Sequence, residues 1–203
     1  MGSICLILFV LSVWKFPLIS QLVFLTDLGN QLTAFTCFFT YYLASSKRTP
    51  VNQSQATGKD FIALVALEYS LVIQVMVVSV YWLVIHNEII DRILATNDAI
   101  IYWLNMFIHI LPFLAALVNT TATSFTFVMK HYIYCLCIAA VYAPLNYIGT
   151  KIRGKPVYPF LKWEDMGISL LISAGFVLVA IVFFFVTAYL INLSKKGSRK
   201  KRV

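Results

Sequence analysis

The 203-residue chain predicts an all-α integral membrane protein, a bundle of about six transmembrane helices. Three observations carry that expectation. Hydrophobic residues make up 61% of the chain and charged residues 12%, whereas about a quarter of the residues of a soluble domain are charged. The mean hydropathy is +0.85. Most of the apolar residues fall into stretches near 3–20, 22–44, 61–85, 100–118, 126–148 and 166–192, each close to the roughly 20 residues that cross a hydrocarbon core as a helix.

Taken in order, the first two stretches are interrupted only by Lys15 and Pro17. The first span is therefore short or irregular, and a re-entrant segment followed by one span fits the same residues. A cleavable signal peptide is disfavoured, because no basic n-region precedes the apolar run and no small-residue cleavage site follows it. The second stretch carries Thr26, Asp27, Asn30, Gln31 and Thr33, and helical spacing sets Thr26, Asn30 and Thr33 on one face at i, i+4 and i+7. The third contains Glu68 and Gln74. In the fourth, Asn105 and His109 share a face, and Pro112 loosens the backbone hydrogen bonding beside the histidine. Lys130 and His131 lie near the start of the fifth, close enough to an end to snorkel. The sixth leads into a charged tail. Residues 1–192 thus read as one transmembrane helical domain and 193–203 as a basic cytosolic tail, disordered because its like charges repel and no apolar face is present.

Net charge is +8, and its distribution orients the chain. On one side of a six-span arrangement lie Lys47, Arg48, Lys59, Lys195, Lys196, Arg199, Lys200, Lys201 and Arg202; on the other lie Arg92, Lys151, Arg153, Lys155 and Lys162. The excess on the first side places both termini in the cytosol. The acidic Glu88, Asp91 and Asp98 then fall in a non-cytosolic loop. The sequon Asn52-Gln53-Ser54 falls in a cytosolic one, where glycosylation does not occur. Basic residues next to a span are orientation signals and ligands for anionic headgroups, so no nucleic-acid partner is expected. Lys200 and Lys201 before the terminal Val203 match a dilysine retrieval signal, which points to the endoplasmic reticulum membrane. The cysteines, at 5, 37, 135 and 137, all fall in apolar stretches without disulfide or zinc spacing, and no metal or cofactor is expected.

Polar side chains in a bilayer core are costly to insert and are expected to face a bundle interior. A threonine hydroxyl becomes a nucleophile only when a base within hydrogen-bond reach takes its proton, and histidine suits that task near neutral pH. Thr26 and His109 are the candidate pair, with Asn30 or Asn105 as substrate-binding or oxyanion donors. The same residues also suit plain helix–helix hydrogen bonding. No G-x-S-x-G, H-E-x-x-H or P-loop signature is present.

Four segments in order point to a family. Phe24-Leu25-Thr26 with Asp27, Asn30 and Gln31, then Trp82 with Glu88-Ile89-Ile90, then Trp103-Leu104-Asn105 leading to His109 and Leu111-Pro112-Phe113, and finally Gly154 before Val157-Tyr158-Pro159-Phe160-Leu161, together resemble the androgen-induced gene family of multi-pass membrane proteins. The resemblance covers residues 24–161, with the Val157 to Leu161 segment its most specific part. Two features differ: the chain separates Trp14-Lys15-Phe16 from Phe24-Leu25-Thr26, which the family runs together, and His109 stands closer to Leu111-Pro112-Phe113. The resemblance implies a membrane hydrolase that cleaves fatty acid esters of hydroxy fatty acids, with Thr26 the nucleophile and His109 the base. Its partners would be a lipid substrate and the membrane itself. A noncatalytic membrane subunit or scaffold of a larger complex is the alternative. Tyr158 reads first as an interfacial aromatic anchoring the last span.

Overall fold

The computed structural model describes residues 24–45, 58–95 and 99–200. The stretch 3–20, Asn52, the loop cations Lys47 and Arg48, Asp98 and the terminal Lys201-Arg202-Val203 lie outside the described residues. The chain is all-α, with helices α1 (Leu25–Ser45), α2 (Lys59–Val80), α3 (His86–Leu94), α4 (Ala99–Ala122), α5 (Tyr134–Arg153) and α6 (Met166–Lys200). A π-helical turn, Tyr81–Ile85, joins α2 to α3, and a 3₁₀ turn, Met129–Ile133, leads into α5. Among the described residues, four helical segments are long and apolar enough to cross a membrane: Lys59–Ile85, Ala99–Ala122, Met129–Arg153 and Met166–Lys196. α1 has 21 residues, but Asp27, Asn30 and Gln31 lower its hydropathy.

Helix ends follow local chemistry. α5 runs past the apolar stretch to Arg153 because Lys151 and Arg153 in its last turn complement the negative end of the helix dipole. It stops at Gly154, whose φ of 64° is the left-handed cap that favours glycine.

α2 is the central helix. Of its most apolar window 72% is buried inside the protein, against 11% for α6, so α2 is wrapped by the others while α6 turns most of its surface, Leu171 and Leu178 included, outward. α1 packs against α2 at Gly29, where an added Cβ would lie 2.9 Å from Ile73 Cγ2. Only the missing side chain lets the backbones approach this closely. Gly29→Val is therefore expected to push α1 off α2, at about 1–3 kcal/mol for an overpacked contact, and to lower the thermal unfolding midpoint in detergent. An unchanged midpoint would show that the approach is not tight.

Contacts define two ends of the bundle. At one end the start of α1, the π-turn, the first half of α4 and the loop after α5 converge: Leu25 meets Tyr158, and Tyr81 stacks on His109. Toward the other, Thr40 Oγ1 donates to Asn119 Oδ1 at 2.9 Å, and Asn192 exchanges two hydrogen bonds with the backbone of Phe127. Between the ends, Glu68 of α2 is completely buried, accepting the Val128 N–H at 2.7 Å and lying 2.6 Å from His131 Nδ1. A polar pair of this kind pins the segment before α5 to the central helix.

Over residues 193–200 the tail expected to be disordered is helical instead. α6 continues as helix through Lys200, and Lys195 Nζ donates to the carbonyls of Thr120, at 2.8 Å, and Phe125. Thr120 lies in the last turn of α4, whose carbonyls lack intrahelical partners, so a cation there is stabilising. Charge repulsion along the tail is outweighed at Lys195 by these acceptors.

Candidate active site

Thr26 sits in the first turn of α1, and His109 near the middle of α4. Their side chains meet: Thr26 Oγ1 is 3.5 Å from His109 Nε2. That separation is long for a hydrogen bond, in a class of contact that often tightens only when substrate binds. The imidazole tautomer follows from its other nitrogen. His109 Nδ1 lies 2.7 Å from the Asn105 carbonyl oxygen, which can only accept, so Nδ1 carries the proton. Nε2 then presents a lone pair to the Thr26 hydroxyl.

The ring is held on a second side. Tyr81 stacks against it with centroids 3.7 Å apart and planes 13° from parallel. Tyr81 is the first residue of the π-turn, a helical irregularity that often occurs at functional sites. Its hydroxyl accepts from Asn105 Nδ2 at 2.5 Å and lies 3.2 Å from His86 Nδ1. Asn105 thus braces the imidazole twice, through its carbonyl and through Tyr81.

Asn30 has a different task. Pro112 lacks an N–H, so the Ile108 carbonyl one turn back loses its helical partner. Asn30 Nδ2 donates to that carbonyl at 3.3 Å and so locks α1 to α4 one residue before the histidine. Gln74 Nε2 donates to Asn30 Oδ1 and to Thr33 Oγ1, both at 3.1 Å, while Thr33 Oγ1 donates to the Gly29 carbonyl. Asn30 and Asn105, expected as oxyanion donors, direct these amide donors to Ile108 and Tyr81, and neither lines the cavity described next. A buried amide satisfies itself on the nearest acceptor, which here is the partner helix.

Thr26 and His109 open onto a cavity of about 320 Å³ whose walls are overwhelmingly apolar. It runs along α2 from Tyr69 to Val80 and on past Tyr81 of the π-turn, with Val72, Met76 and Val80 on one wall and Phe176 of α6 on another. Tyr69 and Val80 alone are roughly 16 Å apart along the helix axis at 1.5 Å per residue. Cys135 closes part of the far end, where the Tyr69 hydroxyl lies 3.5 Å from its sulfur.

Tyr158 has a role that the sequence did not show. Beyond the interfacial role expected of it, it lines this cavity, and its hydroxyl accepts the Leu25 N–H at 2.9 Å. Its loop is fastened at several points. Val157 N–H donates to Thr150 Oγ1, Leu161 N–H to the Tyr158 carbonyl, and Trp163, with a φ of 62° that non-glycine residues seldom adopt, donates through Nε1 to Asn146 Oδ1 at 2.8 Å. Burial pushes the Tyr158 phenol up, so it keeps its proton at neutral pH. The sequence marked the Val157-Tyr158-Pro159 segment but not the inward turn of its tyrosine; Tyr81 carried no signal beyond aromatic character, and Gln74 stood out only as an amide in an apolar stretch.

Among the described residues, no group of three or more His, Cys, Asp or Glu side chains is placed to hold a metal ion. What the arrangement can do is remove a proton from a threonine hydroxyl at the wall of a long apolar cavity. Comparison of the chain with protein-family models, with curated proteins and with solved structures finds no match.

Proposed function

We propose that this chain is an intramembrane lipid ester hydrolase with Thr26 as nucleophile and His109 as base, acting on fatty acid esters of hydroxy fatty acids. The carrying observation is the approach of Thr26 Oγ1 to the unprotonated Nε2 of His109 at the wall of the apolar cavity. The family resemblance of residues 24–161 supplies the substrate class. A cavity this long and apolar suits an acyl chain, with Thr26 and His109 at the ester.

In the reaction, Nε2 takes the Thr26 proton while Oγ1 attacks the ester carbonyl carbon. The tetrahedral oxyanion collapses, the C–O bond to the hydroxy acid breaks, and the leaving alkoxide takes the proton from Nε2. Water, deprotonated by the same nitrogen, then attacks the acyl-threonine; the acyl C–Oγ1 bond breaks, Oγ1 recovers the proton from Nε2, and the fatty acid leaves. The Asn105 carbonyl keeps the imidazole oriented throughout and stabilises the transient imidazolium.

The six-span reading, with both termini cytosolic and residence in the endoplasmic reticulum, belongs to the same proposal. It rests on the cationic excess of Lys47, Arg48, Lys59 and the tail, and on Lys200 and Lys201. In that orientation the site lies at the non-cytosolic end of the bundle.

Covalent labelling tests the chemistry. A fluorophosphonate probe is expected to label the purified protein at Thr26 and to leave Thr26→Ala unlabelled. Absence of labelling in a folded sample would overturn the enzyme and favour the scaffold.

A further inference from the structure

The proposed hydrolysis needs a donor for the oxyanion, and neither candidate asparagine faces the cavity. A chain of hydrogen bonds along the cavity wall supplies one. It begins at the Trp163 indole, which can only donate and therefore fixes Asn146 with Oδ1 toward Nε1. The Asn146 amide nitrogen then faces Tyr142 and donates to its hydroxyl at 3.3 Å. The Tyr142 hydroxyl in turn donates to the Tyr158 hydroxyl at 3.4 Å, and the Leu25 N–H donates to the same oxygen at 2.9 Å. A phenol oxygen accepts two hydrogen bonds and donates one. Both acceptor positions of Tyr158 are filled, and among the described residues no acceptor takes its proton.

We infer that Tyr158 is the oxyanion donor, its hydroxyl proton held toward the ester carbonyl by the Leu25 N–H and the Tyr142 hydroxyl. Leu25 directly precedes the nucleophile, so the bond to its N–H ties the phenol to the start of α1 where Thr26 stands. Both Tyr158 and Thr26 line the cavity. Donors that are prepositioned stabilise charge without reorganising during the step, and a donor already saturated on its acceptor side has no competing arrangement. The phenol acquires no charge and transfers no proton; it donates a hydrogen bond that strengthens as the carbonyl oxygen becomes negative. The inference rests on the hydrolase reading.

Tyr158→Phe removes the hydroxyl and keeps the ring, with its edge-on packing against Phe24 and stacking on Phe160. Its kcat is expected to fall ~100- to 1000-fold, the usual effect of deleting one oxyanion donor, with KM nearly unchanged. Inhibition by a long-chain trifluoromethyl ketone, whose adduct with Thr26 carries the same oxyanion, is expected to weaken by a similar factor. A kcat within threefold of the parent, or a KM that rises as much as kcat falls, overturns the inference. Should Tyr158→Phe not fold, a trifluorotyrosine at 158 keeps shape and hydroxyl while lowering the phenol pKa. Activity must then fall at lower pH than in the parent, because the ionised phenol cannot donate; an unmoved alkaline limb overturns the inference. Thr26→Ala and His109→Ala run in parallel separate the two claims. If both lose turnover and Tyr158→Phe does not, only the inference fails; if both retain turnover, the hydrolase reading fails.

Discussion

His109→Ala is expected to abolish ester hydrolysis, with a loss of at least ~100- to 10,000-fold, the usual contribution of a general base. The protein should stay folded. Among the described residues the imidazole bonds the carbonyl of its own helix, at Asn105, and the 3.5 Å approach to Thr26 contributes little to stability. Losing the stacked ring leaves one face of Tyr81 bare, but Asn105 still holds the Tyr81 hydroxyl. Turnover and thermal unfolding measured on the same preparation check both halves. Substantial remaining turnover in a folded sample would remove the dyad assignment.

Glu68→Ala is expected to have the largest effect on stability, about 3–5 kcal/mol, the combined cost of a buried donor left unsatisfied and a cavity in the core. Three losses coincide in this variant: the Val128 N–H loses its acceptor, His131 Nδ1 loses its partner, and a fully buried side chain leaves a void. Glu68→Gln separates size and hydrogen bonding from charge. Its amide oxygen can still accept from Val128, and its NH₂ can donate to the other tautomer of His131. The glutamine variant should keep most of the stability and all of the turnover, because Glu68 does not line the cavity. Thermal unfolding in detergent, read with hydrolysis at a temperature below the transition, checks both. A glutamine variant as unstable as the alanine one would show that the carboxyl itself is required.

The two sites differ in kind although both pair a histidine with another polar residue. His131 and Glu68 lie within hydrogen-bond distance and clamp a turn to the central helix. His109 and Thr26 are looser, and they face an open apolar space. That contrast is why the second pair carries the functional proposal and the first a stability prediction.

Much of the architecture was legible in the chain because bilayer solvation imposes long apolar runs. The stretches at 61–85, 100–118, 126–148 and 166–192 correspond to the four helical segments long and apolar enough to span. The cost of burying polar side chains made Thr26, Asn30, Glu68, Gln74 and His109 stand out before any fold was known. Helical period even set Asn105 and His109 on one face.

Period does not say how a helix is rotated against its neighbours, and the tertiary structure decided everything that depends on that rotation. Only packing aimed Asn30 at the carbonyl that Pro112 orphans, laid Tyr81 of the π-turn flat against His109, and turned Tyr158 inward to the start of α1. The tail shows the same division. Its charge was plain from composition, but composition could not reveal that the end of α4 and the loop after it would each offer Lys195 a carbonyl and that α6 would continue as helix past them. Side-chain type and spacing determine which groups need partners in a membrane; the three-dimensional meeting of helices determines which partners they find.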